Sequence, residues 1–487
     1  MAVKTREQYL ESLRSQRPEV YMLGEKQEQI ADNRLFFTGV NAVGTVYDAA
    51  HDPKLAGLAT LQSPLIGEAI NRFTHLPQSA DDIMAKIRAM RELCGRHVCI
   101  YRCMTIDCAS AVWATTYDID AKYGTSYHAR FASYLREVQR NDWAVSGAVT
   151  DVKGDRNLRP AAQPDPDMYV RVVERRSDGI VVRGAKANIT AAPYSNAMLV
   201  MPTRDIKDNE KDYAVAFGCR VDTPGITIIS RPSDISREPR EMDKPLGQRY
   251  GHIESLVIFD DVFVPWENVF LCGETEFAGA MVMAFANIHR TSKCGCKAGQ
   301  VDMMVGAAAL IADYNGVERA AHIQDKLADM IMTAEVAYSC GITAAVEGRT
   351  HPSGVFIPRY LQANVGKYQA ASKIGEDYVL LHDIGGGLVA TMPSERDYRH
   401  PKTGQYMEKY LKGRDGVPTE HRVRALKLCE DIAASAFGGW MMGISLNGAG
   451  SPMAEKIEVL RQYDVKRRKA IAKEQAGIVE AKVPAGA

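Results

Sequence analysis

The chain has 487 residues, 46% of them apolar and 25% charged, and its 60 Lys and Arg balance 60 Asp and Glu to a formal net charge of zero. That is ordinary globular composition, and at about 100–200 residues per domain it leaves room for two or three domains. A neutral balance argues against a phosphate-coated partner, since nucleic-acid binding needs a basic excess or stripe. The start, Met1 to Glu7, lacks the apolar core of a signal peptide, and no run approaches the ~20 apolar residues that span a bilayer. A cytoplasmic protein with no nucleic-acid and no membrane partner is expected.

Residues 1–145 read as mostly helical. Thr5–Ser15, Ser79–Leu93 and Phe131–Gln139 carry apolar residues at three- and four-residue spacing, and Ser79 with Asp82 resembles a capping box. From about residue 146 to 273 glycines, prolines and short β-rich runs take over: Tyr169–Glu174, Gly179–Ala185, Ala197–Met201, Tyr213–Cys219, Ile226–Ser230 and Ser255–Val264. Their spacing and turn residues favour an antiparallel β module. Over 274–487 the helical period returns in Val301–Asn315, His322–Glu347, Tyr360–Leu381 and Glu420–Ala436, and Pro452–Ala481 reads as one long charged helix. The expected fold class is therefore α+β, with an N-terminal helical domain (1–145), a central antiparallel β domain (146–273) and a C-terminal helical bundle (274–487). Several late helices are apolar on more than one face, which points to burial against other subunits.

Ten cysteines in a reducing compartment point away from structural disulfides and towards metal binding, reactivity or core packing. Cys219, Cys340 and Cys429 stand alone among apolar neighbours and read as core. Cys99-Ile-Tyr-Arg-Cys103 places two thiols one turn apart if helical, and His289 and Cys296, seven residues apart, would share a face two turns long. A Cys₃His set of this kind suits an iron–sulfur cluster or a structural zinc. Spacing does not choose between them, nor between ligands and buried free cysteines, for Cys94, Cys108 and Cys294 stand at similar spacing.

Around the β module, Gly147 to Arg156 and Arg183 to Thr190 combine small residues with Thr, Lys and Arg, able to hold an anionic cofactor through backbone N–H groups and charge. A surface turn explains them as well. Asp383-Ile-Gly-Gly-Gly387 allows close backbone approach or merely connects two helices. No Walker loop, Gly-x-Gly-x-x-Gly, Gly-x-Ser-x-Gly or His-Glu-x-x-His occurs, which removes P-loop hydrolysis, Rossmann cofactor binding, serine hydrolysis and zinc proteolysis as first choices.

Nearly end to end, the chain resembles the 4-hydroxybutyryl-CoA dehydratase (vinylacetyl-CoA Δ-isomerase) family, within a flavoprotein group that includes 4-hydroxyphenylacetate 3-monooxygenases and shares the acyl-CoA dehydrogenase-like architecture. The resemblance is carried by Leu65 to Arg72, Thr115 to Asp120, Thr150 to Arg156, Arg183 to Lys186, Phe259 to Pro265, Thr391 to Glu395 and Gly448 to Pro452. It implies FAD and a [4Fe–4S] cluster as cofactors, with Cys99, Cys103, His289 and Cys296 as cluster ligands. It implies a radical dehydration of a hydroxyacyl-CoA, in which loss of the α-proton and one electron acidifies the otherwise unactivated β-hydrogen. His289 would double as the α-proton base, Glu254 would hydrogen-bond the leaving hydroxyl, and Lys297 would keep positive charge beside the cluster.

By the same resemblance Thr150, Lys153, Gly154, Asp155, Arg156, Thr190, Asn447, Gly448, Ala449 and Gly450 would contact flavin. Gly385, Gly386 and Gly387 would approach the flavin of a neighbouring subunit in a homotetramer. Two positions depart from the family: Lys293 stands where it has Tyr, and Met442 to Asn447 holds no acid where it has one. They imply a divergent member acting on a different acyl-CoA or related substrate. The alternative within the wider group is an aromatic monooxygenase using reduced FAD, which needs no iron; a zinc-stabilised scaffold is the non-enzymatic reading.

Overall fold

The computed structural model describes residues 3–233 and 241–478. Thr5 with Gln8 and Ser79 with Asp82 form capping boxes at the starts of Arg6–Arg14 and Ala80–His97, satisfying N–H groups that a helix start leaves unpaired. Cys103–Tyr123 and Tyr127–Arg140 complete the main helices of this part. Two short strands, Glu19–Met22 and Glu25–Gln27, interrupt the helical pattern and extend the central sheet. Val20 and Met22 are buried there, but an alternation only four residues long is too short to announce a strand by itself.

The central residues build two sheets. One runs in the order Glu25–Gln27, Glu19–Met22, Ile226–Ser230, Glu254–Pro265, Gly179–Thr190, Arg171–Arg175; the other runs Val269–Cys272, Val215–Arg220, Ala197–Val200, Val145–Ala148. The strands predicted from the β-rich runs pair antiparallel with one another. Two parallel pairs depart from that expectation: Glu19–Met22 with Ile226–Ser230, and Val145–Ala148 with Ala197–Val200. Both unexpected strands are supplied by the helical part or its edge, and so arrive by connections too long for a hairpin. Phe217 of the smaller sheet meets Phe259 of the larger edge-on at 5.8 Å within one shared core. The register of the two longest strands sets Glu254 opposite Thr190.

The C-terminal helices pack around Thr275–Tyr314, which runs for 40 residues and is buried without a break from Asn287 to Val301. A stretch hidden on every face needs neighbours on every side. One is Ala80–His97. A Cβ on Gly295 would lie 2.5 Å from the Ile87 carbonyl oxygen, and one on Gly299 would lie 2.3 Å from that of Arg91. Only glycine lets the two backbones meet this closely. Ala321–Val346, Tyr360–Gly385 and Thr419–Ala433 complete the bundle.

The single closing helix expected at Pro452–Ala481 is two, Pro452–Gln462 and Val465–Gln475: Tyr463 is extended, and Asp464 caps the second through the Arg467 N–H. The end of that expected helix, past residue 478, lies outside the described residues. Among these, no helix is long and apolar enough to cross a membrane.

Candidate active site and metal centre

His289 and Cys296 share the Thr275–Tyr314 helix, as their spacing predicts. Cys99 and Cys103 do not share a helical turn. Cys103 opens Cys103–Tyr123, while Cys99 lies in the turn before it. Val98 at φ 68° and Tyr101 at φ 59° break the helix there, a left-handed backbone that is costly for any side chain and most for a β-branched one. Partners distant in sequence impose it. Gln300 Nε2 donates to the Val98 carbonyl at 2.7 Å, and His252 Nε2 donates to that of Cys99 at 2.9 Å.

The turn delivers Cys99 to Cys296. The thiols of Cys94 and Cys99 hydrogen-bond to the Cys296 sulfur, which these bonds, followed by Lys297 and Lys293, hold well below the ordinary thiol range. Cys103 Sγ, a carboxylate oxygen of Asp107 and a ring nitrogen of His289 lie within 4.8 Å of one another. The four cysteine and histidine positions singled out in the sequence thus converge as two adjoining groups, all buried. Three soft sulfurs and an imidazole, closed off from water, fit an iron–sulfur cluster or zinc. Of the other cysteines nearby, Cys94 joins this group. Cys108 instead faces Gly147, and Cys294 faces Gly366.

Asp107 was not singled out from the sequence, although an acid one turn after Cys103 in an apolar helix was a signal. It is fully buried and accepts from Lys86 Nζ at 2.7 Å, Ser292 Oγ at 3.0 Å and His289 Nδ1 at 2.8 Å. Burial alone would raise its pKa, but Lys86 and His289 outweigh that and hold the carboxyl below the usual range. Burial also lowers the pKa of His289. The ring is therefore neutral, with Nδ1–H committed to Asp107 and the Nε2 lone pair left for a metal or a proton.

Glu254 begins its strand half-buried, accepting from Thr190 Oγ1 at 2.6 Å and Trp440 Nε1 at 3.2 Å. Burial pushes its pKa up despite these bonds, so the protonated acid is favoured. Lys297 is wholly buried, donates to Gln300 Oε1 at 2.7 Å and Ser445 Oγ at 2.8 Å, and is brought down to about 8, mainly by burial. Lys293, one turn before it, lies near Gly448: a Cβ there would be 3.5 Å from its Nζ.

The residues expected to hold flavin fall at three places. Lys153 and Gly154 both have positive φ, 73° and 52°, and turn a loop that Gln163 braces through Asp155 N–H at 3.0 Å and the Asp155 carbonyl at 2.8 Å. Gly154, Asp155 and Arg156 are exposed there. Beneath Thr150, Lys186 is buried in an ion pair with Asp151 and donates to the carbonyls of Val149 and Met201.

Thr190 joins Glu254. Asn447 to Gly450 form the turn after Ala436–Asn447, where Arg290 Nε donates to the Ala449 carbonyl at 3.0 Å and Lys367 Nζ to those of Leu446 and Gly450 at 2.9 and 3.1 Å. Gly385 packs on Val389 and Cys429, and Gly386 and Gly387 face open space; among the described residues no hydrogen bond joins these three to the thiols.

Two family models cover the chain: the N-terminal part of 4-hydroxyphenylacetate 3-hydroxylase over residues 5–271 and the C-terminal part over 278–477. A 4-hydroxybutyryl-CoA dehydratase/vinylacetyl-CoA-Δ-isomerase of Clostridium aminobutyricum is 44% identical over 97% of this chain and 99% of its own. The solved structure of an oxygen-tolerant archaeal 4-hydroxybutyryl-CoA dehydratase from N. maritimus superposes with a TM-score of 0.94 at 36% identity, over 98% of this chain and 96% of that one. The oxygenase component of 4-hydroxyphenylacetate 3-monooxygenase, solved with FAD, gives a TM-score of 0.87 at 26% identity, over 98% and 100% of the two chains.

Proposed function

This chain belongs to the 4-hydroxyphenylacetate 3-hydroxylase family, in its 4-hydroxybutyryl-CoA dehydratase/vinylacetyl-CoA Δ-isomerase branch, and from that premise we propose that it is an FAD- and [4Fe–4S]-dependent hydro-lyase. Its reaction is of the type that converts 4-hydroxybutyryl-CoA to crotonyl-CoA and water, with Δ-isomerase activity on the enoyl-CoA. The convergence of Cys99, Cys103, Cys296 and His289 in one buried place carries the reading. An aromatic monooxygenase has no use for such a donor set, and the relative with that activity is the more distant one.

Cys99, Cys103, Cys296 and His289 would hold the cluster. Thr150, Lys153 to Arg156, Thr190 and Asn447 to Gly450 would hold FAD, with Gly385 to Gly387 meeting the flavin of a neighbouring subunit. When bound, the two groups supply a reversible one-electron acceptor and a Lewis acid for the hydroxyl.

The chain supplies the proton handling. His289 takes the α-proton at Nε2, and Asp107 stabilises the resulting imidazolium across the Nδ1 bond. Ligation and base catalysis use the same Nε2, so they alternate. Glu254, whose protonated form burial favours, donates to the departing hydroxyl, which leaves as water. Lys297 adds fixed positive charge next to Cys296. We read the chain as three units, 1–145, 146–273 and 274–487, assembled as a cytoplasmic homotetramer.

Anaerobically purified protein should contain about four irons per chain, as a cubane cluster requires, together with flavin, and should release water from 4-hydroxybutyryl-CoA or a close hydroxyacyl-CoA. Cys99→Ala and Cys296→Ala should abolish both iron and activity. Iron-free yellow protein with full activity would refute the proposal.

A further inference from the structure

The helix Cys103–Tyr123 starts on Arg102, and no side chain caps its first turn. Ser, Thr, Asp and Asn are the residues that serve at such a position, and a cation there opposes the helix dipole. The residue before it, Tyr101, is left-handed, and Arg102 itself is fully buried. A residue so poorly suited to its local place is kept for what its side chain does elsewhere.

That side chain runs to the turn before Val145–Ala148. Arg102 Nη2 donates to Asp142 Oδ1 at 2.5 Å and Nη1 to Tyr47 Oη at 2.5 Å, with the guanidinium 4.8 Å from the centre of the Tyr47 ring. Tyr47 Oη donates in turn to the Asp142 carbonyl at 2.9 Å, and the Lys4 N–H reaches the other Asp142 carboxylate oxygen at 3.2 Å. Both side chains of the ion pair are 1% exposed. Desolvation offsets most of the attraction in a buried pair, so stability is a weak reason to keep one. A planar fork gripping two acceptors does fix direction.

We propose that the Arg102–Asp142 pair positions the cluster ligands by fixing the spacing between Cys99 and Cys103, with Arg102 as the positioning residue. The inference rests on the dehydratase reading and deepens it at the same site. Arg102 lies between two thiols that serve different groups: Cys99 meets Cys296, whereas Cys103 meets Asp107 and His289. Gln300 and His252 hold the Cys99 end of the turn through the carbonyls of Val98 and Cys99. Arg102 holds the chain where it leaves the left-handed Tyr101 and enters the helix. Strained backbone persists only where its surroundings over-determine it, and one cluster shared by both groups needs that step held still.

The test challenges anaerobically purified holoenzyme with a ferrous-iron chelator and follows iron per chain, flavin content and melting temperature. Arg102→Met/Asp142→Asn removes both charges together, and Asn tolerates the left-handed backbone of residue 142, at φ 38°. This double variant should melt close to wild type and keep its flavin, yet release iron about tenfold faster or more. The EPR spectrum of its reduced cluster should change as well. Arg102→Lys keeps a charge opposite Asp142 but lacks the planar fork, and should also release iron faster. Release at the wild-type rate from either variant overturns the inference and leaves the dehydratase reading standing. So does a double variant that unfolds, or that loses flavin and iron together, since the pair would then support the fold at large. Iron-free wild type overturns both.

Discussion

Asp107 joins a helix of the N-terminal part to the long helix of the C-terminal bundle, because its two oxygens collect Lys86, Ser292 and His289. Partners that fix a metal-bound imidazole typically change metal affinity by 10–100-fold when removed. Asp107→Asn should therefore yield protein with sharply reduced iron after chelator challenge, measured as iron per chain, at unaltered flavin content. Glu254 gives a different signature. Replacing a general acid costs about 10²–10⁴ in rate, so Glu254→Gln should lose that much kcat and keep its iron. Burial raises the pKa of Glu254, and in the proposed mechanism the protonated form is the active one. Wild-type activity should thus fall as pH rises through that elevated pKa, and the falling limb should be missing from the pH profile of Glu254→Gln.

At the scale of elements, the site depends on how closely two helices approach. Gly295 and Gly299 let Thr275–Tyr314 touch the backbone of Ala80–His97, and Gln300, next to Gly299, then reaches the Val98 carbonyl and holds the turn that carries Cys99. Forcing a larger side chain into such packing costs about 1–3 kcal/mol. Gly299→Val should lower the melting temperature and, by drawing Gln300 off Val98, reduce iron content as well; normal iron in a folded variant would show that the turn holds itself.

Helices and strands here were largely legible. The Ser79–Asp82 cap, the run Ile226–Ser230 and the His289–Cys296 face appear where local pattern put them. The Cys99–Cys103 turn did not, because its backbone is held by Gln300 and His252, 202 and 153 residues away. The break at Tyr463 was also missed, although Asp464 is a capping residue three before Arg467.

For the whole molecule, large apolar side chains remain uncovered on the last helices, among them Met453, Ile457 and Leu460 at 63%, 52% and 68% exposure. Clusters of this kind mark surfaces that meet another chain, and they support the self-association proposed above. The double variant Ile457→Glu/Leu460→Glu should shift native mass spectra from four chains to smaller species; an unchanged tetramer would place the subunit contacts elsewhere.

By itself the sequence determined the α+β order and the antiparallel core of the β module, since periodicity and turn chemistry are properties of residue types and their spacing, while spacing alone left Cys99, Cys103, His289 and Cys296 undecided between ligands and core. Only the tertiary structure decided that Asp107 orients His289, that Cys94 stands beside Cys296, and that Lys293 and Lys297 lend their charge to the Cys296 thiol. Those are facts about which side chains meet across hundreds of residues, and burial, which sets the cost of leaving a charge or a donor unmet, exists only once the chain has closed around them.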